Sequence, residues 1–398
     1  MPAQSQIPIA SPGASRRFAS RLALFYGAVF GLLGTYLPFF PVWLKAVGIE
    51  ASWIGIITAV PAVTRFTVLP FVTALAERRQ LRNAIIATAF ATALGLALVG
   101  TQHRALLVFL TFAATCCVWT PMAPLTDAYA LRGVAHYGLN YGPLRLWGSA
   151  AFVVGALACG LLVDVIAPEH LIWVIAATAG LSALASLGLQ PLAGIKRADV
   201  TLRGAGGLVR DPGFLAIIVA SALIQGSHAA YYIFASIVWK QSGLGGLTIA
   251  GLWSLGVLAE IVLFAVSPRF TLPPAMLVVV AALSAVARWV ITAQDPPIAV
   301  LAIVQLAHGL TFGLTQVGTM NLMVHHVPGH VMARGQGYLA VSSGIVAGCA
   351  SILSGAVYAR YGQGVYYVMA AMAGSGAIVM WFSRHKVAGQ PHSAASGG

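Results

Sequence analysis

Residues 248–267 read TIAGLWSLGVLAEIVLFAVS, twenty residues carrying one charge, Glu260. A helix rises about 1.5 Å per residue and needs about 20 mostly apolar residues to cross the hydrocarbon of a bilayer. The stretch meets that length, and it lacks the period-two alternation of a barrel strand. A charged side chain at mid-membrane costs about 2.5–3.5 kcal/mol, so Glu260 needs either a task or a partner.

The rest of the chain repeats the pattern. Of 398 residues, 59% are apolar and 8% charged, against about 45–50% and about 25% in soluble domains. So few charges cannot cover a soluble surface, which excludes a soluble multidomain enzyme. Twelve apolar stretches stand out, at roughly 21–44, 53–75, 84–101, 105–131, 143–166, 170–190, 212–239, 248–267, 275–293, 298–327, 334–360 and 363–383. The fold class expected is an all-α membrane protein with twelve transmembrane helices in two six-helix halves.

The net charge of +13 does not point to nucleic acid, because no aromatic-basic platform accompanies it. Fifteen of the 22 Lys and Arg, among them Arg16, Arg17, Arg82, Arg132, Arg210 and Lys386, fall in one set of loops and tails. The other set holds Lys45, Arg104, Lys240 and Arg360, and the remaining three, Arg65, Arg145 and Arg288, fall within spans. Basic loops stay on the cytoplasmic side, so both termini are expected there. The organisation expected is a tail (1–20), a six-helix half (21–190), a Gly-containing basic linker (191–211), a second half (212–383) and a tail (384–398).

The halves echo one another. Val42-Trp43 precedes Gly55 by the spacing at which Val238-Trp239 precedes Gly251, and Ser149 and Gly155 match Ser342 and Gly348. Two halves of about 200 residues related by an axis along the membrane normal are how a rocking transporter is built, with substrate held at midplane. Gly27-x-x-x-Gly31 is read as a site of close helix packing.

Charges and polar groups inside spans supply the candidates. Glu260 is expected either to load and release a proton as its surroundings change from wet to dry, or to form a permanent pair with Arg288. Arg65 could hold a carboxylate in its planar fork, or serve as a structural partner for Asp127. Asp127 and Arg145 lie near one water interface and read as a gate pair or as a static one. Tyr36 of the first span, His228, Tyr231 and Tyr232 of the seventh, and Gln305 and His308 of the tenth are costly in lipid unless they face protein or a wet cavity. They are candidates for substrate binding, or for hydrogen bonds between helices. His325, His326 and His330 lack the acid or Cys of a metal site, and Cys116, Cys117, Cys159 and Cys349 have no ligand spacing. No metal or cofactor is expected. No P-loop, nucleophile elbow or H-E-x-x-H is present, so the chain is not expected to be an enzyme or an ATP-driven pump.

Several stretches resemble the major facilitator superfamily, and within it the bacterial 3-phenylpropionate permeases. They are 37–45 (LPFFPVWLK), 124–128 (PLTDA), 141–149 (YGPLRLWGS), 226–232 (GSHAAYY) and 252–260 (LWSLGVLAE), with Arg288-Trp289. The loop Leu75-Ala76-Glu77-Arg78-Arg79 is similar to the superfamily's G-x-L-A-D-R-x-G-R signature, with Thr73 in place of the glycine and Glu77 in place of the aspartate. Glu77 and Arg78 are therefore gating candidates beside Asp127 and Arg145. The resemblance implies alternating access and proton symport of a small organic acid, an aromatic carboxylate such as 3-phenylpropionate, across a bacterial cytoplasmic (inner) membrane. Its partners would be the acid, protons and the lipid bilayer. Relatives of this type include sugar and nucleoside carriers. A nucleoside or sugar symporter and a proton-antiporting exporter of sugars or drugs thus remain alternatives, with a non-transporting receptor more remote.

Overall fold

The structure is a computed structural model that describes residues 12–69, 71, 81–192, 205–328 and 331–387. Among the described residues it is all helical, without strands. The main helices are α1 Pro12–Ala46, α2 Ala51–Thr67, α3 Leu81–Gly100, α4 Ala105–Trp119, α5 Met122–Tyr137, α6 Tyr141–Val163, α7 Leu171–Leu187, α8 Pro212–Gly226, α9 Ala229–Gln241, α10 Gly246–Val266, α11 Pro274–Thr292, α12 Ile298–Leu306, α13 Leu314–His326, α14 Met332–Tyr361 and α15 Val365–Val387.

Among the described residues, ten segments are long and apolar enough to cross a membrane. The last, Arg334–Val387, runs 54 residues and turns at Gly362–Gly364, so it holds two of the expected stretches. α2, with 17 residues, is shorter than the 18 such a segment requires. The arrangement is thus consistent with twelve spans. Large apolar side chains lie exposed along many helices, including Leu94, Leu161, Val262 and Phe382. An exposed apolar area of this extent is at home against lipid acyl chains and would make a soluble protein aggregate.

Three of the expected spans are interrupted. Pro121 lies between α4 and α5, where its ring and missing N–H end the helix. α8 and α9 part at Ser227-His228 without a proline. There the Ser227 hydroxyl (2.6 Å) and His228 Nδ1 (3.1 Å) both take the carbonyl of Ile224. The His228 N–H falls back on Gln225 O, because side chains have displaced the i to i−4 bond. Between α12 and α13, Gly309–Gly313 forms a π-helical turn, a device that re-aims side chains within a helix.

The chain divides into two compact units: Met1–Trp43 with Thr67–Arg197, and Leu44–Phe66 with Ala198–Gly398. α2 therefore groups with the C-terminal half rather than with its sequence neighbours. The reason is visible at Gly55 and Gly355, where α2 and α14 meet backbone to backbone. A Cβ on Gly55 would lie 2.6 Å from Ser351 O, and one on Gly355 2.8 Å from Ala51 O. In the first unit, a Cβ on Gly155 would lie 2.5 Å from the carbonyl of Gly31, so Gly31 does sit at a close helix contact, with α6. Each unit repeats one packing, α3 on α7 and α11 on α15. The first core is centred on Tyr36, Phe40, Phe112 and Trp119, the second on Phe214, Ile217, Val278, Leu322 and Met380.

Candidate functional site

Arg65, on α2, is exposed and lines a cavity of about 530 Å³ within the second unit. Gln225 of α8, Gln316 of α13 and Gln336 of α14 share its walls, with Phe312 and Leu339 supplying apolar surface. Arg65 is the only charged side chain among the described residues of that lining.

Phe312 has a second role. It belongs to the π-helical turn, and its ring stacks on His308 at 5.4 Å and 17°. His308 opens a buried polar chain. Its Nδ1 lies 2.9 Å from Arg288, which can only donate. Nδ1 is therefore the acceptor, which places the imidazole proton on Nε2. That nitrogen faces Glu260 Oε2 at 4.0 Å. Arg288 also donates to Thr311 Oγ1 (3.1 Å) and to Gln305 Oε1 (3.1 Å). Thr311 lies 3.0 Å from His228 Nε2. Because His228 Nδ1 must donate to the Ile224 carbonyl, its Nε2 accepts from Thr311. The bonds thus run in one direction, Arg288 to Thr311 to His228 to Ile224 O. Tyr231 and Trp289 cover the guanidinium, with ring centroids at 4.7 and 4.6 Å.

The structure gathers seven expected residues here: Glu260, His308, Arg288, Gln305, His228, Tyr231 and Tyr232. Tyr232 stacks on His228 at 6.0 Å. His308 stands between Glu260 and Arg288, touching one and facing the other, a role not expected from the sequence. Thr311 and Phe312 were missed as well. Thr311 follows His308 by three residues and so shares its helix face, which is the signal that could have found it. Tyr36 lies in the first unit, buried against Phe40 and at 4.5 Å, edge to face, from Trp119.

In the first unit the charges are joined through an aromatic ring. The Tyr26 hydroxyl donates to Asp127 Oδ1 at 2.6 Å, and Tyr141 donates to the same oxygen at 3.0 Å. Arg145 lies over the Tyr26 ring at 5.7 Å and the Phe30 ring at 3.9 Å. Glu77 and Arg78 lie outside the described residues.

At the histidine pair, His326 Nε2 meets Asp211 Oδ2 at 2.6 Å, so an acid accompanies His326, contrary to expectation. Asp211 caps α8 by accepting from Gly213 N at 2.8 Å. Partial burial opposes its ionisation, but the His326 and Gly213 hydrogen bonds prevail and hold its carboxyl below the ordinary value. Among the described residues no group of three His, Cys, Asp or Glu is placed to hold a metal.

A multi-pass helical protein with a charged cavity and a buried polar chain beside it is a membrane transporter in architecture. The chain belongs to the MFS_1 like family, whose profile matches residues 19–369. It is 31% identical over 364 residues to a probable 3-phenylpropionic acid transporter of Escherichia coli (strain K12), covering 88% of this chain and 94% of that one. It is 27% identical over 360 residues to a maltose permease of Geobacillus stearothermophilus, covering 87% and 89%. A crystal structure of the nucleoside transporter NupG, in a mutant form, has the same fold, with a TM-score of 0.82 over 92% of this chain and 99% of that one at 15% identity. The protein is thus a transporter of the major facilitator type rather than an enzyme.

Proposed function

We propose that this transporter imports a small organic carboxylate together with a proton across the cytoplasmic (inner) membrane, with both termini in the cytoplasm. The observation that carries the reading is the double position of Phe312, which lines the Arg65 cavity and stacks on His308. An anion drawn to Arg65 would press on the residue that packs His308, and His308 faces Glu260. Arg288 occupies the Nδ1 a second proton on His308 would need, so Glu260 is the group left to load. Neutral when protonated and anionic when not, it changes its hold on the Nε2–H of His308. The Tyr26 bridge between Asp127 and Arg145 would serve as part of the inner gate, opening when the protein faces inward. The carboxylate class also suits the relative named for 3-phenylpropionic acid.

One anion carried with one proton moves no net charge, so a pH gradient should drive uptake while membrane potential alone should not. The test is reconstitution in proteoliposomes with labelled 3-phenylpropionate and an imposed pH step. Wild type should concentrate the acid inside. Glu260→Gln should keep exchange but lose accumulation, and a variant that still concentrates the acid contradicts the coupling role. Efflux under an inward proton gradient would point instead to antiport.

A further inference from the structure

Among its described residues, the lining of the Arg65 cavity has one cation but three carboxamides, Gln225, Gln316 and Gln336, from three helices. Each amide offers two donor hydrogens and an acceptor oxygen. Gln225 Oε1 is closed off from solvent and has no hydrogen-bond partner among the described residues. An unsubstituted hydrocarbon ligand would cut Gln316 and Gln336 off from water and offer none of the three amides a partner. Sites built to hydrogen-bond a substrate reject an analogue without the matching group far more strongly than apolar pockets reject an extra one. A hydroxyl both donates and accepts, so it satisfies a glutamine whichever way its amide is turned.

We propose that the substrate is a hydroxylated carboxylate: one carboxylate on Arg65, two or more hydroxyls on the glutamines, and a carbon face against Phe312. This rests on the carboxylate reading of Arg65 given above and narrows it. The amides would make a plain arylalkanoate a poor ligand, and the single guanidinium would make a neutral polyol an incomplete one.

The test measures binding to purified wild-type protein with three probes: 3-phenylpropionate, 3-(3,4-dihydroxyphenyl)propionate and sorbitol. The dihydroxylated acid should bind at least about tenfold more tightly than the plain acid, and sorbitol weakly or not at all. Gln316→Leu and Gln225→Leu should weaken the dihydroxylated acid more than 3-phenylpropionate and so shrink the ratio between the two acids. Equal binding of the two acids, with sorbitol excluded, overturns this inference and leaves the carboxylate reading standing. Sorbitol binding as well as the acids, or neither acid binding, overturns both. The wild-type ratio needs no variant, so a Leu substitution that fails to fold does not remove the test.

Discussion

The two units bury polar groups in different ways. In the first, Asp127 is a single acid capped by two tyrosine hydroxyls. In the second, Arg288 is the hub of a chain that reaches Glu260 at one side and a backbone carbonyl at the other. The first arrangement satisfies an acid locally, and losing one partner leaves another. The second is directional, and each member depends on the next for its tautomer or its donor. A chain of that kind responds to a proton or an anion at one end, which is why transport chemistry is assigned to the second unit and a latch to the first.

The largest effect that would separate the units is expected at Arg288. Arg288→Met leaves His308 Nδ1, Thr311 and Gln305 without their donor, and removing one partner of a buried charged network costs about 3–5 kcal/mol. Thermal unfolding in detergent should show the loss together with abolished transport. A variant with near wild-type stability would break the comparison. Asp127→Asn keeps the shape but weakens two charge-assisted bonds, with an expected cost of about 1–3 kcal/mol. It should slow flux while leaving pH-driven accumulation intact, as initial rates and final levels in proteoliposomes would show. If it abolished accumulation instead, the division of labour between the units would be wrong.

Much of this was legible in the sequence, for physical reasons. Hydrocarbon thickness sets span length, so the spans could be read by counting. A carboxylate in oil must have a reason, so Glu260 was legible as special. Its neighbours were not. Sequence alone left Glu260 either as a proton-loading group or as a permanent partner of Arg288, and gave no sign of His308 beside both. His308 lies immediately before the π-helical turn at Gly309–Gly313, which hydropathy does not register. The break at Ser227-His228 was equally hidden, since it comes from side chains competing for one carbonyl. Nor does chain order reveal that Leu44–Phe66 groups with the second unit; that follows from Gly55 meeting Gly355.

Asp211 supplies the smallest expected effect and a contrast with the buried chain, because it is only partly buried and its pair with His326 is partly screened by solvent. A carboxyl held below its ordinary value stabilises the fold above that value and loses the contribution as pH falls through its folded value. Wild-type stability should therefore decline on acidification below about pH 4. Asp211→Asn should flatten that decline and lower stability at neutral pH by the same small amount, as melting curves across the range would show. An unchanged acid slope would remove Asp211 from the account.

The central claim is that Glu260 carries a proton whenever the acid crosses. The most direct measurement is proton movement in a lightly buffered suspension of proteoliposomes, followed with an external pH electrode as the acid that binds best is added. Wild type should make the medium more alkaline as acid enters, in proportion to the acid taken up. Glu260→Gln should exchange acid across the membrane with no change in external pH. Acid-dependent alkalinisation that survives in Glu260→Gln would contradict the account.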